Sequence, residues 1–147
     1  MIRPLELNDI EIVNKLINDK NYITNEYELK KKASVYIKND QIVGFISYKI
    51  LYERAELDYI FVQKEERKRG IASKLLLTMF DDCRNSNVES IDLEVNSLNE
   101  KAINLYQKFE FKIIGIRKKY YDGIDGLIMK REIRWKSERY IYFCYWK

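Results

Sequence analysis

The stretch QKEERKRGIASKLL, residues 63–76, decides the fold. Six consecutive charged residues lead to Gly70, and an apolar pattern with helical spacing begins immediately after it. The first N–H groups of a helix lack partners within the helix, and the helix dipole gives them a partial positive charge, so they suit a bound phosphate. The small residues Gly70, Ala72 and Ser73 would let such a ligand approach the main chain.

The basic residues beside Gly70 allow two interpretations. Arg67, Lys68 and Arg69, with Lys74 one turn into the helix, can supply charge to an anionic ligand. They can equally form a solvated loop before a helix that binds no ligand. The residue pattern on its own leaves both interpretations open.

Length and composition indicate one globular domain. The chain has 147 residues, 46% apolar and 34% charged, and no apolar stretch near the roughly 20 residues that span a bilayer. The start MIRPLELND lacks the apolar core of a signal peptide. Two cysteines are too few for a disulfide framework, so we expect a reduced, cytoplasmic protein that contacts no membrane. The mild net charge of +4 gives no reason to expect a nucleic-acid partner.

Histidine is absent from the sequence. Its absence excludes serine- and cysteine-based catalysis through a histidine, and most catalytic zinc sites, so we expect no metal. Acid–base chemistry in this chain must therefore use Glu, Asp, Tyr, Lys or Cys.

Hydrophobic periodicity predicts the element order β-α-α-β-β-β-α-β-α-β-β, a mixed α/β fold that we expect to form one domain over residues 1–133. The second helix is predicted around residues 25–33, and a strand that is well buried towards its end over residues 54–62. Asn39-Asp40 and Asp122-Gly123 are predicted as turns between strands.

Two later elements carry candidate catalytic side chains. In the strand IDLEV, residues 91–95, the apolar residues alternate to one face while Asp92 and Glu94 share the other. Ser97-Leu98-Asn99-Glu100 reads as a capping box that starts the next helix, whose apolar stripe contains Tyr106. A strand carboxylate facing solvent and an aromatic in a helix core are also ordinary structural residues, so the pattern alone does not assign them a function.

A resemblance to a known family adds to these patterns. Arg67-Lys68-Arg69-Gly70-Ile71-Ala72 resembles the R/Q-x-x-G-x-G/A motif with which the GNAT superfamily of N-acetyltransferases grips the pyrophosphate of acetyl-CoA. The second half of the chain is similar to the RimI-type N-terminal acetyltransferases of ribosomal proteins, over Leu93-Glu94-Val95, Asn99, Leu105-Tyr106, Phe109-Glu110-Phe111, Tyr120-Tyr121 and Asp122-Gly123. The resemblance covers residues 42–133, and residues 1–20 loosely.

The resemblance implies a GNAT fold, a central twisted mixed sheet flanked by helices, that uses acetyl-CoA as cosubstrate. The main chain of Ile60, Phe61 and Val62 would pair with the pantetheine arm, and Asn99 would contact the CoA chain. The diphosphate would bind at the glycine junction, formed by Arg67, Lys68, Arg69, Gly70, Ile71, Ala72 and Ser73.

The resemblance also gives the two candidate side chains a role. Glu94 matches the position that carries the base in RimI-type enzymes, where it acts through ordered water. Tyr106 matches the position of the acid that protonates the departing thiolate. Both assignments are hypotheses here, beside the structural alternatives already given for each residue.

These features predict an acetyl-CoA-dependent N-acetyltransferase whose leading acceptor is a protein or peptide N-terminal amine. One alternative is acetylation of a small amine, such as a polyamine, an amino acid or an aminoglycoside. A second alternative is a non-catalytic module that holds CoA as a sensor or uses its aromatic tail for protein contacts, which the presence of both Glu94 and Tyr106 disfavours. We expect a monomer or a homodimer.

The sequence departs from the RimI-type pattern in four places, the first of which is the stretch between the first two helices, residues 17–32, where relatives often carry a loop rich in proline and aromatic residues and this chain has no proline. Glu110 stands where the family prefers Gly after its helix, and Lys119 stands where relatives commonly have Asn. In a left-handed conformation a non-glycine residue at position 110 would cost about 1 kcal/mol. Residues 134–147, RWKSERYIYFCYWK, form an aromatic-rich extension that could add a strand, cover the active-site groove or form a dimer contact.

Overall fold

The computed structural model describes residues 1–19 and 32–133. The strands are β1 (Ile2–Pro4), β2 (Lys32–Lys38), β3 (Gln41–Leu51), β4 (Arg54–Val62), β5 (Ser90–Asn96), β6 (Lys112–Tyr121) and β7 (Ile124–Glu132). The helices are α1 (Ile10–Ile17), α2 (Ile71–Asn85) and α3 (Glu100–Lys108). Short 3-10 turns precede α1 at Leu7–Asp9 and α2 at Lys64–Glu66.

All seven strands form one sheet in the order β1-β2-β3-β4-β5-β7-β6. Every neighbouring pair is antiparallel except β4 and β5, which are parallel because α2 crosses between them. The mixed α/β architecture predicted from the sequence is therefore confirmed.

The two faces of the sheet bury separate hydrophobic cores. On one face α2 and α3 cover the larger core, which contains the fully buried side chains Leu75, Leu76, Met79 and Phe80 of the predicted α2 stripe. On the other face α1 covers a smaller core through Val13 and Ile17. Alternation along β5 follows this division, because Ile91, Leu93 and Val95 belong to the larger core and the residues between them face away.

Both predicted turns are confirmed. Asn39 and Asp40 have φ values of 51° and 60°, and they join β2 to β3. Asp122 and Gly123 have φ values of 47° and 88°, and they join β6 to β7. Two consecutive positive φ values match the right-handed twist of the flanking strands, which is why Asn, Asp and Gly are favoured in such turns.

The helix predicted around residues 25–33 requires correction. Lys32 and Ala33 lie in β2, where they pair with Tyr48 and Ser47 of β3, so strand pairing across the sheet overrides their local pattern. The rest of that predicted helix lies outside the described residues, as does the aromatic-rich extension.

The predicted capping box also requires correction. The helix α3 is capped by Asn99, whose side-chain oxygen accepts a 3.2 Å hydrogen bond from the Ala102 amide. Ser97 instead donates its backbone N–H to the carbonyl of Asp125 at 2.9 Å, which ties the β5–α3 connection to β7. The helix therefore starts two residues later than the Ser97 cap would place it.

No helix in residues 1–19 and 32–133 is long and apolar enough to cross a membrane. Within the same ranges no three His, Cys, Asp or Glu side chains are grouped so that they could hold a metal ion.

Candidate active site

The sheet opens between β4 and β5. These strands pair only from Arg54 with Ser90 to Leu57 with Leu93, and beyond that point they diverge. The far part of β4 continues as Ile60, Phe61 and Val62, which pair with β3 on one side alone. The main-chain groups of these residues that face β5 are therefore available to a ligand lying in the gap, except the Val62 carbonyl, which accepts a hydrogen bond from Arg67.

The amino end of α2 lies beyond the end of β4. Its N-cap is Gly70, with φ of 78°, and no side chain caps this end of the helix. The Lys74 amide donates to the Gly70 carbonyl at 3.0 Å, so the amides of the preceding residues, including Ile71, Ala72 and Ser73, have no acceptor within the helix. A Cβ built on Gly70 would meet no atom within 4 Å, so a ligand can approach the main chain there.

Two of the basic side chains at the glycine junction, those of Arg67 and Arg69, contact other groups of the protein. The Nε of Arg67 donates to the Val62 carbonyl at 2.9 Å, which fixes the loop to the end of β4. Arg69 lies 3.5 Å from a Glu66 oxygen, which also accepts a 2.7 Å hydrogen bond from Lys38. That hydrogen bond lowers the pKa of Glu66 below its usual value. Lys68, with φ of 64°, is exposed.

Asn99 has a structural role as the N-cap of α3, through its bond to the Ala102 amide. Its predicted contact with the CoA chain stays a prediction. Ile71 is buried against the core, so it can offer only its main chain to a ligand, whereas Ala72 and Ser73 are half-buried.

Glu94 is the first residue of β5 beyond the last pair with β4. It lies on the α1 face of the sheet, because the residues on both sides of it in β5 point into the larger core. Its Oε1 lies 2.9 Å from an Nη of Arg117, and its Oε2 is buried with no hydrogen-bond partner among the described residues. Glu94, the base predicted from the sequence, therefore lies at the opening of the sheet. One of its carboxylate oxygens is paired with Arg117, and the other has no hydrogen-bond partner among the described residues.

Tyr106 lies on the opposite face. It is 5% exposed, packs in the larger core, and its ring centroid is 5.9 Å from that of Phe111. Burial, with a smaller contribution from Tyr121, raises the pKa of the Tyr106 phenol above its usual value. No described residue forms a hydrogen bond with its hydroxyl group.

Tyr121 interacts electrostatically with both Glu94 and Tyr106. Burial raises its pKa above the usual value, and the neighbouring charge of Glu94 adds to that effect. Asp19 also acts on Tyr121, and it accepts a 3.0 Å hydrogen bond from the Tyr59 hydroxyl group. We refer to these side chains together as the acceptor cluster: Asp19, Tyr59, Glu94, Arg117 and Tyr121.

Sequence reasoning missed most of the acceptor cluster. The sequence predicts only Glu94 of its members, and it places Tyr121 in a motif without a role. No sequence signal marks Arg117, whose place depends on an irregular stretch of β6 where the register with β7 shifts between Arg117 and Tyr121. Two cavities, of about 380 and 450 Å³, lie away from this cluster, beside β1 and beside the β3–β4 turn.

Comparison with known proteins identifies the family. A family model described as the acetyltransferase (GNAT) family matches residues 9–111. The chain belongs to this family.

Individual GNAT relatives extend the match. The chain is 31% identical over 147 residues to an N-alpha-acetyltransferase of Saccharolobus solfataricus, covering 87% of this chain and 88% of the relative. It is 32% identical over 91 residues to a ribosomal protein bS18-alanine N-acetyltransferase of Haemophilus ducreyi, covering 62% and 63% of the two chains. The solved structure of Ard1 from Thermoplasma volcanium has a TM-score of 0.83 at 26% identity, over 91% of this chain and 97% of that chain.

As a GNAT protein, the chain is an acetyl-CoA-dependent N-acetyltransferase. Two features of its own structure fit acetyl-CoA. The uncapped amides and open space at Gly70 suit a diphosphate. The edge of Ile60, Phe61 and Val62 that has no strand partner, apart from the Val62 carbonyl bound by Arg67, suits the amide groups of pantetheine.

Proposed function

We propose that this GNAT enzyme acetylates the α-amino group at the N-terminus of a peptide or protein, with Glu94 as the base and Tyr106 as the acid. The observation that carries the proposal is the position of Glu94 at the opening of the sheet, with Oε1 bound to Arg117 and Oε2 buried without a partner, a state that Asp92 shares away from the opening. A buried carboxylate oxygen without a partner is costly. An acceptor amine, or a water bound to it, would supply the missing donor.

Acetyl transfer needs a proton to leave the amine. The acceptor nitrogen forms a bond to the thioester carbonyl carbon while the C–S bond breaks, so the amine loses one proton and the thiolate gains one. With a free α-amino pKa of about 8, only about a tenth of the amine is neutral at pH 7, and a nearby base raises the reactive fraction. In this proposal Glu94 Oε2, which has no partner among the described residues, accepts that proton directly or through one water.

Tyr106 would act from the other face of the sheet. Because burial raises the pKa of its phenol, the side chain is a neutral O–H donor at neutral pH. A hydrogen bond from this group would stabilise negative charge as it develops on the departing sulfur. Complete proton transfer from the phenol to a thiolate is uphill, since ordinary thiols have a pKa of about 8.5. The hydrogen bond is therefore the larger part of the proposed role.

The acceptor class rests on charge and on the relatives. Asp19 and Glu94 place two carboxylates in the acceptor cluster, which suits a cationic amino group before it loses its proton. The relatives from Saccharolobus solfataricus and Haemophilus ducreyi are named as acetyltransferases of α-amino groups and of an alanine in a ribosomal protein. The charges suit any cationic amine, and the names of the relatives favour a peptide N-terminus over a free small amine.

The acceptor class is tested by incubating the purified protein with acetyl-CoA and matched acceptors, and following thiol release and product mass. The acceptors are short peptides with a free N-terminus, the same peptides with a blocked N-terminus and one lysine, free amino acids, and polyamines. We expect a single acetyl group on the α-nitrogen of the unblocked peptides. Thiol release with polyamines or amino acids alone would refute the proposed acceptor.

The catalytic roles are tested by Glu94→Gln and Tyr106→Phe, with Asp92→Asn as the matched control. Asp92 lies on the same strand and face as Glu94 but before the sheet opens, and it pairs with Arg54 at 2.9 Å. We expect kcat to fall about a hundredfold for Glu94→Gln and for Tyr106→Phe, with CoA affinity changed by less than about twofold. Asp92→Asn should keep its activity. If Glu94→Gln and Asp92→Asn retain equal activity, Glu94 is not the base.

A further inference from the structure

Arg117 occupies a defined position at the mouth of the acceptor cluster. One Nη lies 2.9 Å from Glu94 Oε1, and the guanidinium carbon lies 4.7 Å from the centroid of the Tyr120 ring. The side chain is nevertheless 51% exposed. The ion pair and the ring therefore orient the guanidinium while part of it still faces the solvent.

The Arg117 guanidinium has more N–H groups than its contact with Glu94 uses. Arginine carries five N–H groups in a planar fork that matches a carboxylate. Among residues 1–19 and 32–133, the only acidic partner of Arg117 is Glu94, which is contacted through a single Nη. The remaining N–H groups can bind a second carboxylate, one that belongs to a ligand.

The acceptor cluster contains charges of both signs. Its carboxylates are Glu94 and Asp19, which accepts a hydrogen bond from Tyr59. Its cation is Arg117 of β6, whereas the side chain of the next residue along the strand, Lys118, is 81% exposed and lies 3.9 Å from Asp125. An acceptor whose amino group lies at Glu94 would place its following residues beside Arg117.

We propose that Arg117 selects acceptor peptides that carry Asp or Glu at the second or third position. The proposal rests on the proposed function, a peptide N-terminus as the acceptor. An amine within hydrogen-bonding distance of Glu94 Oε2 lies about 5–6 Å from the guanidinium, and successive Cα atoms are about 3.8 Å apart. A carboxylate on the next residue or the one after it is thus within reach of Arg117. A lysine or arginine there meets like charge.

The test compares peptides that are identical except for Asp, Asn or Lys at the second position. For the natural sequence we expect kcat/KM to be about tenfold higher with Asp than with Lys, the size of one partly exposed charge interaction. Because both peptides use the same base, any general effect of a substitution on Glu94 cancels in this ratio. Arg117→Gln should lower the Asp-to-Lys ratio to within about twofold of unity.

Lys118→Gln is the matched control, since it removes one positive charge from the adjacent residue on the same strand. It should leave the Asp-to-Lys ratio within about twofold of the natural value. A salt titration of the unaltered protein gives an independent measurement. The ratio should decline towards unity at about 1 M salt, where charges are screened within about 3 Å.

Three results would overturn the proposal. The first is a ratio at or below unity in the unaltered protein, the second is a ratio that persists in Arg117→Gln, and the third is a ratio that does not depend on salt. Equal acetylation of all three peptides defeats the selection by Arg117 and leaves the proposed function standing. Absence of acetylation with every peptide defeats the proposed function itself.

Discussion

Replacing Gly70 by Glu tests the proposed diphosphate site with a charge at its centre. Gly70 is the N-cap of α2, and no atom lies within 4 Å of a Cβ built there, so a side chain fits without collision. The φ of 78° makes any non-glycine residue strained, at about 1 kcal/mol. Because Gln carries the same strain and nearly the same volume, Gly70→Gln is the matched control.

The charge effect can be worked out from this position. At an effective dielectric constant of about 40, two charges about 6 Å apart interact by about 1.4 kcal/mol. Against the two negative charges of a diphosphate the penalty is about 2.8 kcal/mol, or about a hundredfold in Kd. Stability should change in the other direction, since a carboxylate at the amino end of a helix stabilises it by about 0.3–1 kcal/mol.

Calorimetric titration with CoA and thermal unfolding separate these effects. We expect Gly70→Glu to bind CoA about a hundredfold more weakly than Gly70→Gln, and to unfold at the same temperature or a slightly higher one. Acetyl-pantetheine, which has no diphosphate, should show a similar KM with both variants. Equal CoA affinity of Gly70→Glu and Gly70→Gln would refute the diphosphate site at the start of α2.

Two further predictions concern stability. Gly44→Ala should cost about 1–3 kcal/mol of unfolding free energy, because the added Cβ would lie 3.2 Å from atoms of Ile71 and Tyr36; chemical denaturation measures this, and an unchanged midpoint would contradict it. Asp9→Asn should cost about 2 kcal/mol at pH 7, because the buried carboxylate accepts hydrogen bonds of 2.7 and 3.0 Å from Arg3. The bond from Arg3 holds the pKa of Asp9 below its usual value, so this contribution is present above about pH 4 and is lost as the pH falls further. Denaturation at pH 7 and pH 3 should show the two proteins converging, and a constant difference would contradict the assignment.

The elements predicted correctly from the sequence depend on local chemistry. The turn at Asn39-Asp40 needs two consecutive positive φ values, which these residue types tolerate. The face of Glu94 follows from strict alternation along β5. Neither conclusion requires knowledge of a distant part of the chain.

The acceptor cluster depends on contacts that no local pattern encodes. Arg117 reaches Glu94 because β6 joins the sheet through β7, and because its register shifts between Arg117 and Tyr121. That irregular stretch contains Lys119, with φ of 54°, whose amide donates to an Asp125 oxygen at 2.9 Å. Residue types alone place neither the register shift nor the ion pair. The correction from Ser97 to Asn99 at the start of α3 has the same origin, since Ser97 is bound to the neighbouring strand.

Glu110 shows how a departure from the family pattern can be explained by a distant residue. It has φ of 69°, the left-handed conformation in which the family prefers glycine, so the strain of about 1 kcal/mol expected from the sequence applies. Its carboxylate lies 3.7 Å from Arg131, which is only 3% exposed and lies over the Phe80 ring at 4.8 Å. An ion pair with so buried a guanidinium can offset about 1 kcal/mol of backbone strain. A glycine at position 110 would relieve the strain but remove this ion pair, so the residues at positions 110 and 131 are best understood as a pair.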